Sequence, residues 1–521
     1  MIKPASSANL TNTFSGYKNT AFGHNKYNSI AAGNVKSSIF YINDYHGKSL
    51  NMERTVNASN AFDSFVKEKK ANKEVDILKL SSGDIMIGEV EKVNETAMTF
   101  QNIIGISASA MGNHEYDMPD KIGNFIDRMK YKLLAANVSI KDTNPLAQKV
   151  EKSFIEEHNG HKYGIIATTP CDLLVRLKYG QIFNELKVHD IDETIKDVQT
   201  EVDKLRAQGI DKIILLSHSG FLYDKKIAQN TEGIDIILGG HSHNLIKDIK
   251  QGENLLLSKS GEPVIITQAG RDGKYFGVLN VEFDNKGRII RAQNNVSATC
   301  NFRRNAPVGY IFEQITGKPI IIGKINSAPP PLTEDLIQPS GHAYFLVDCV
   351  KKDLNTEIAL ISAANIRGYF EAGNLDTRYL EDIAPFHNNL CIINYSEKEI
   401  VDAIKHTCKS FVTINNKPGI LHPSGLKYTV SRKGELKSLY YIDKNGKEIR
   451  IDINNPRSDK FYRTAIDDYL AQGNDEMKML KKYDEAEQKF NFDLNKCVIE
   501  YMKNTQKAVD IFDDGRITVV D

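Results

Sequence analysis

The sequence predicts an α/β fold in two domains, on three observations. From Ser38 onward, short apolar runs alternate with amphipathic stretches of helical period, which is how strands and their covering helices read in an open sheet. Five of those runs end directly in a cluster of polar, metal-capable side chains. The chain has 521 residues, too many for one ordinary core, and length alone allows about two to four domains, of which two is the simplest reading.

In chain order, the first 37 residues are rich in Asn, Ser, Thr, Gly and Ala, and Lys3, Lys18, Lys26 and Lys36 are their only charged side chains. That composition buries too little surface to order itself, so residues 1–37 are expected to form a disordered tail. It shows no apolar centre of a classical signal peptide, which by sequence reads as cytoplasmic and leaves the localisation open. The strands expected next are SIFYI, DILKL, GISASA, KYGIIATT, DKIILLS, GIDIILG and PVIITQ. Between them, DETIKDVQTEVDKLRAQG places Ile195, Val198, Val202 and Leu205 on one helical face, with Asp192 as the expected N-cap. GKYFGVLNVEFDNKGRIIRAQ alternates with a period of two around an Asp-Asn-Lys-Gly turn and reads as a hairpin edge.

The first domain therefore covers residues 38–300. Pro-rich, polar composition places a linker at 301–318, with a short helix inside it, and the second domain at 319–521. In the latter, SEKEIVDAIKHTCKSF begins with Ser396 and Glu399 at capping-box spacing and turns Ile400, Val401, Ile404 and Cys408 inward. Arg516 and the acidic stretch before it read as solvated surface.

Lys+Arg and Asp+Glu are balanced at 67 each, so no overall field favours a nucleic acid polymer or an anionic membrane. No apolar run approaches the roughly 18 residues of a membrane span. The six cysteines are scattered, without CxxC spacing, and read as isolated buried thiols. No obligate protein partner is evident.

The post-strand clusters are NDYHG, SSGD, GNHEYD, SHSG and GGHSHN. Ligands in open α/β sheets bind beyond the carboxyl ends of the strands, so the five loops are expected to converge. Together they hold Asp44, His46, Asp84, Asn113, His114, His218, His241 and His243. Oxygen and imidazole donors of this mixture suit Mn, Zn, Co or Fe, whereas the lack of Cys argues against a structural zinc cage. So many donors exceed the needs of one ion. Two ions about 3.5–4 Å apart share a carboxylate and clamp a phosphoryl group in line. Asp84, reached through Gly83, is the expected bridge; Asp44, His46 and His243 are assigned to one ion and Asn113, His218 and His241 to the other. His114 is expected to face a phosphoryl oxygen or the leaving group as the catalytic imidazole, with Asp117 holding its other nitrogen. Glu115 is expected to support the loop from behind.

In order and spacing these residues resemble the calcineurin-like dinuclear metallophosphoesterases, with the pattern D-x-H, G-D, G-N-H-[ED], H and G-H-x-H. NDYHG and GNHEYD are similar to the 5′-nucleotidase branch. The resemblance implies a four-layer α/β/β/α catalytic domain followed by a smaller α/β substrate-binding domain. It implies two divalent metal ions and hydrolysis of a phosphate ester, most simply a nucleotide by a 5′-nucleotidase. Family members are commonly exported. In the second domain the family's N-x-G-G-x-R, P-F-x-N, S-G and G-G-D-G-[FY] segments correspond to SAANIR, PFHN, PSGLKYTV and GNDEM. The resemblance makes Arg367 a phosphate contact and assigns Phe386, Asn388, Ile420 and Met477 to substrate binding. It also exposes departures. Ser362, Ala364 and Asn365 replace the loop's Asn and two glycines, and Ile420 and Met477 stand where the family sandwiches a base between two rings. Each stacking contact is worth about 1–3 kcal/mol, so nucleoside preference should weaken unless Tyr428 or Phe386 supplies a ring. The rival readings keep the metals and change the ester, to a cyclic nucleotide, a nucleotide-sugar or dinucleotide, or a non-nucleotide phosphate. Another rival is a binding protein with the same fold and little turnover.

Overall fold

The computed structural model describes residues 20–21, 34–70, 75–176, 185–330, 336–413, 418–505 and 507–521. Most of the expected tail lies outside the described residues. Thr20–Ala21, within it, pairs with a strand of the first unit, and residues 35–37 already belong to the first long strand. The chain divides into two compact units, residues 1–317 and 318–521.

All seven expected strands form. In chain order they are β1 (Val35–Ile42), β2 (Asp76–Ser81), β3 (Ala108–Ala110), β4 (His161–Thr168), β5 (Lys212–Ser217), β6 (Ile236–Gly239) and β7 (Pro263–Thr267), and the hairpin follows as β8 (Tyr275–Phe283) and β9 (Ile289–Ala298). One eight-stranded sheet is ordered Thr20–Ala21, β9, β8, β1, β2, β3, Lys132–Leu134, Val150–Glu151. A six-stranded sheet is ordered Leu255–Leu257, β7, β6, β5, β4, Ser153–His158. β1, β2 and β3 run parallel in the first sheet, as do β4, β5, β6 and β7 in the second.

The strands are apolar throughout because both faces of each sheet are covered. Ile39 and Tyr41 of β1, Ile214 and Leu216 of β5 and Ile236 and Leu238 of β6 share one core between the two sheets. Their neighbours alternate outward, Phe40 and Ile42 to one helical layer and Ile213, Leu215 and Ile237 to the other. The helices on the first sheet are α1 (Ser49–Lys70) and α2 (Glu91–Ile104); those on the second are α3 (Ile191–Arg206) and α4 (Phe221–Asn230). The result is the expected α/β/β/α sandwich, with its parallel strands delivering their carboxyl ends to a common rim.

Three local expectations change. The N-cap of α3 is Asp190, whose carboxylate accepts the N–H groups of Asp192 and Glu193, both at 2.9 Å. Asp192 already lies in the first turn, where a negative charge faces the helix dipole. Within the expected linker, α5 (Ala306–Thr316) packs Val308 and Phe312 into the core beneath α1 and α2. Its Pro307 read as a boundary, but in the first turn of a helix the missing N–H costs nothing. Arg304, just before it, binds Glu53 of α1 through two hydrogen bonds of 2.6 and 2.9 Å. Finally, Cys300 is exposed and Cys171 partly so, while the other four cysteines are buried, and all six are free thiols.

The second unit is also α/β. Its five-stranded sheet is ordered Leu421–Ser424, Ile358–Ser362, Phe461–Asp467, Leu390–Ser396, Gln488–Lys489. The helix Glu397–Cys408 carries the expected capping box of Ser396 and Glu399 and buries Ile400, Val401, Ile404 and Cys408. Arg516 is held rather than solvated: it bonds Asp348 at 2.7 and 2.9 Å and lies 4.5 Å from the Tyr344 ring centroid. Among the described residues no helix is long and apolar enough to cross a membrane.

Leu215 reaches from β5 into the layer of α3 and α4. Leu215→Ala is expected to lower the unfolding free energy by about 2–5 kcal/mol, read by chemical denaturation, because the cavity sits in a close-packed layer.

Candidate metal centre

The loops after β1, β2, β3, β5 and β6 meet at the carboxyl ends of their strands. Past the end of the β1–β2 ladder the two loops stay zipped together, with N–H···O bonds from Asp44 to Gly83 (2.9 Å), His46 to Asp84 (3.0 Å) and Gly47 to Ile85 (2.9 Å). The second sheet is tied in by the Ser82 hydroxyl on the Leu238 carbonyl (2.7 Å) and by the His241 N–H on the Asp44 carboxylate (3.1 Å). The rim of the sandwich therefore closes over one buried point.

Every residue expected to bind metal is there. Donor atoms of Asp44, His46 and His243 lie within 4.8 Å of one another, as do those of Asp84, His218 and His241. His46 joins the two groups, its Nε2 lying 3.9 Å from Asp44 Oδ1 and 3.6 Å from Asp84 Oδ2. His218 Nε2 is 3.0 Å from the same Asp84 oxygen, and His243 Nε2 is 3.4 Å from Asp44 Oδ1. Asn113 completes the second group, with its Oδ1 3.0 Å from His241 Nδ1. A third group, His46, Asp84 and His114, overlaps the other two, so Asp84 stands among histidines on both sides.

Local backbone geometry makes this approach possible. A Cβ on Gly112 would stand 2.1 Å from Asp84 Oδ1, and one on Gly83 would stand 2.7 Å from the Gly112 nitrogen. Only hydrogen fits at either position. Six of the ten described non-glycine residues with positive φ are Asp44, His46, Asp84, His241, His243 and Asp272, all at this centre. Each left-handed residue costs about 1–3 kcal/mol, so the surrounding fold has to hold them. Much of the holding falls to Glu115. Its buried carboxylate accepts N–H bonds from Gly112 (2.8 Å), Asp84 (2.9 Å), Ile85 (3.0 Å) and Met86 (3.2 Å), joining the loops after β2 and β3.

The electrostatics fit cations. Burial opposes ionisation of Asp84, but His218 and His114 outweigh it and hold the carboxyl well below the usual carboxylate range. Burial likewise opposes a proton on His218, yet Asp84 and Asp44 push that imidazole up to about 10. Burial brings His243 down to about 3 against the pull of Asp44. The Nε2 atoms of His46 and His218 are buried and make no hydrogen bond. Two buried carboxylates facing unbonded imidazole nitrogens form a donor set suited to divalent metal ions.

His114 meets Asp117 beside the two groups. Its Nδ1 lies 2.7 Å from Asp117 Oδ2, which also accepts the Gly88 N–H at 2.6 Å, and its Nε2 lies 4.0 Å from Asp84 Oδ2. Three supporting groups were missed from sequence. Asp272 Oδ1 is 3.1 Å from His46 Nδ1, Asp172 Oδ1 is 3.4 Å from His241 Nε2, and the Ser82 carbonyl is 2.6 Å from His218 Nδ1. Asp272 had a legible signal, because AGRDG follows the apolar run of β7 just as the five recognised clusters follow theirs.

In the second unit the Arg367 guanidinium lies 5.4 Å from the centroid of Phe386, two residues before Asn388. His387 between them is clamped by Asp493 and Glu381, the latter at 2.7 Å. Ile420 and Met477 correct the expectation of substrate contacts. Both are buried in the unit's apolar core, so neither presents a face to a ligand. Tyr428 is core as well, its hydroxyl donating to the Leu421 carbonyl at 2.7 Å.

Such a rim, in which the parallel strands of two packed sheets present a shared carboxylate among histidines, defines a metal-dependent phosphoric ester hydrolase. Residues 37–245 match the family model of calcineurin-like phosphoesterases and residues 321–482 that of the 5′-nucleotidase C-terminal domain. With both matches in this order, the chain resembles the calcineurin-like metallophosphoesterases that carry a 5′-nucleotidase C-terminal domain. It is similar to 5′-nucleotidase of Mus musculus, at 27% identity over 94% of this chain and 91% of that one. Its fold is that of a 5′-nucleotidase precursor from Thermus thermophilus (TM-score 0.77, 20% identity, covering 93% of this chain and 99% of the other). It is also that of a sulfate thiohydrolase, SoxB, from the same organism (TM-score 0.72, 13% identity, covering 96% and 98%).

Two outcomes follow from this geometry. Gly112→Ala is expected to displace Asp84 and reduce turnover by about 100-fold or more, since an error of about 1 Å at a reacting centre costs that much, while circular dichroism stays native. A second concerns pH. Burial disfavours the proton on His387, but Asp493 and Glu381 override it and raise the imidazole to about 10. A group raised in the folded state stabilises fully below its unfolded value of about 6.5, and that stability is lost as pH climbs through the folded value. Denaturation of the wild type should therefore show stability falling from about pH 6.5 toward about 10, and His387→Gln should flatten that slope.

Proposed function

We propose that the protein is a 5′-nucleotidase-like phosphomonoesterase that releases phosphate from nucleotides with two bound divalent ions, of Mn, Zn, Co or Fe. The observation that carries this reading is Asp84, whose Oδ2 stands 3.0 Å from His218 Nε2 on one side and 3.6 Å from His46 Nε2 on the other. Asp44, His46 and His243 would hold one ion and Asn113, His218 and His241 the second, with Asp84 serving both. Bound divalent ions supply charge neutralisation at phosphoryl oxygens and the acidity that turns water into a nucleophile near neutral pH.

The chain's own residues do the rest. Asp117 accepts a hydrogen bond from Nδ1–H of His114, which leaves Nε2 as the nitrogen aimed at substrate. In its protonated form His114 donates to a nonbridging phosphoryl oxygen or to the departing ester oxygen, stabilising the charge that develops there. Asn113 contributes a neutral oxygen, so the site keeps net positive charge to meet a phosphate once the ions are in place. In the second domain Arg367, beside Phe386, would contact the substrate phosphate through its planar set of donors. The curated relatives named 5′-nucleotidase support nucleotides as the substrate class.

One observation favours a second reading of the leaving group. With Ile420 and Met477 buried in the core, the base lacks the two-ring sandwich expected in the family. A phosphate ester without a base would then serve as well, through the same metal site.

Phosphate release from nucleoside mono-, di- and triphosphates, cyclic nucleotides, dinucleotides and sugar phosphates, with Mn, Co, Zn or Mg, tests both. Metal-dependent turnover of 5′-mononucleotides, reduced to background by Asp84→Asn, is the expected result. Turnover confined to sugar phosphates establishes the second reading, and no turnover with any metal removes both.

A further inference from the structure

We infer that Asp272 is a positioning residue for His46, fixing the ring orientation and tautomer with which that histidine addresses its ion; the inference rests on the metal-ligand reading above. Asp272 lies just beyond β7, outside the motifs that define the ligand set. Its backbone is pinned on both sides, the N–H donating to the Asp44 carbonyl at 2.6 Å and the carbonyl accepting from Asn51 Nδ2 at 2.8 Å. Its side chain is buried, with Oδ1 3.1 Å from His46 Nδ1 and Oδ2 3.4 Å from Arg271 Nε and 3.7 Å from Lys274 Nζ.

Arg271 and Lys274 flank its Oδ2, and Oδ1 is the acceptor that faces the ring. The shared proton therefore sits on His46 Nδ1. The lone pair is left on Nε2, the buried atom that makes no hydrogen bond and faces Asp84 and Asp44. The ring is further wedged edge-on between His114 and His243, with centroids 5.3 and 5.1 Å away. Among the supporting contacts of the ligand histidines, this one is both charged and buried. His218 leans on the neutral Ser82 carbonyl, and the Asp172 side chain beside His241 is 40% exposed. A buried carboxylate behind a metal-binding imidazole raises its basicity and holds its plane, and its loss typically costs about 10–100-fold in metal affinity.

The test is calorimetric titration of Mn2+ or Co2+ into the metal-stripped full chain, with the visible spectrum of the Co2+ form as a second readout. Asp272 has φ 59°, so the informative substitutions are Asn and Gly, which tolerate that backbone, rather than Ala. Asp272→Gly removes the acceptor and is expected to weaken one of the bound equivalents about 10–100-fold and to alter the Co2+ spectrum. Asp272→Asn keeps an acceptor oxygen but loses the charge, is close to isosteric, and is expected to weaken the same equivalent several-fold; it carries the test should the Gly variant misfold. His46, at φ 48°, is replaced by Gly for the same reason, and His46→Gly is the control. If His46→Gly loses an equivalent while the Asp272 variants bind as tightly as wild type with an unchanged spectrum, the role of Asp272 is overturned and the metal reading stands. If wild type and His46→Gly bind alike, the ligand assignment itself fails and takes the inference with it.

Discussion

Two carboxylates, Asp44 and Asp84, are buried at the point where the two sheets of the sandwich meet, and positive charge has to face them. Unpaired, ionised carboxylates in such surroundings would be prohibitively costly. Around them the protein gathers five histidines and holds six residues in left-handed backbone. It removes side chains at Gly83 and Gly112 so that the loops can touch. Glu115 ties two of those loops with four amide bonds, which converts a strained arrangement into a rigid one. The structure spends stability to keep these side chains in place before any ion arrives, as a preorganised electrostatic site requires.

The sandwich supplies the position rather than the chemistry. Its strands are parallel where the site is built, so loops from both sheets emerge on the same rim, and the apolar alternation that buries both faces leaves only the strand ends for polar side chains. Fold alone decides little about substrate: a nucleotidase and a sulfate thiohydrolase share it with this chain. In the second unit the Arg367 guanidinium lies beside the Phe386 ring, and Ile420 and Met477 belong to the apolar core.

Every strand of the first domain that was read from sequence is present, because doubly buried strands write themselves as continuous apolar runs. The side chains of the candidate centre were legible for the same reason, since each metal-capable cluster directly follows such a run. The misreadings are equally physical. Asp190 and Asp192 are both plausible caps, and the choice depends on where the preceding chain arrives. Pro307 marks a helix start as readily as a boundary. Arg516 pairs locally with Asp514, two residues away, and no spacing in the sequence betrays its second pairing with Asp348, which is distant in the chain.

The sequence by itself determined the α/β class, the order of the strands and which side chains gather at the centre, because these depend on local pattern and on residues adjacent to strand ends. Only the tertiary structure decided which supporting groups stand behind the histidines, that Glu115 binds four amides from two loops, and that Ile420 and Met477 face inward. Those contacts join residues far apart in the chain through hydrogen bonds and packing, and such pairings leave no spacing for a sequence to display.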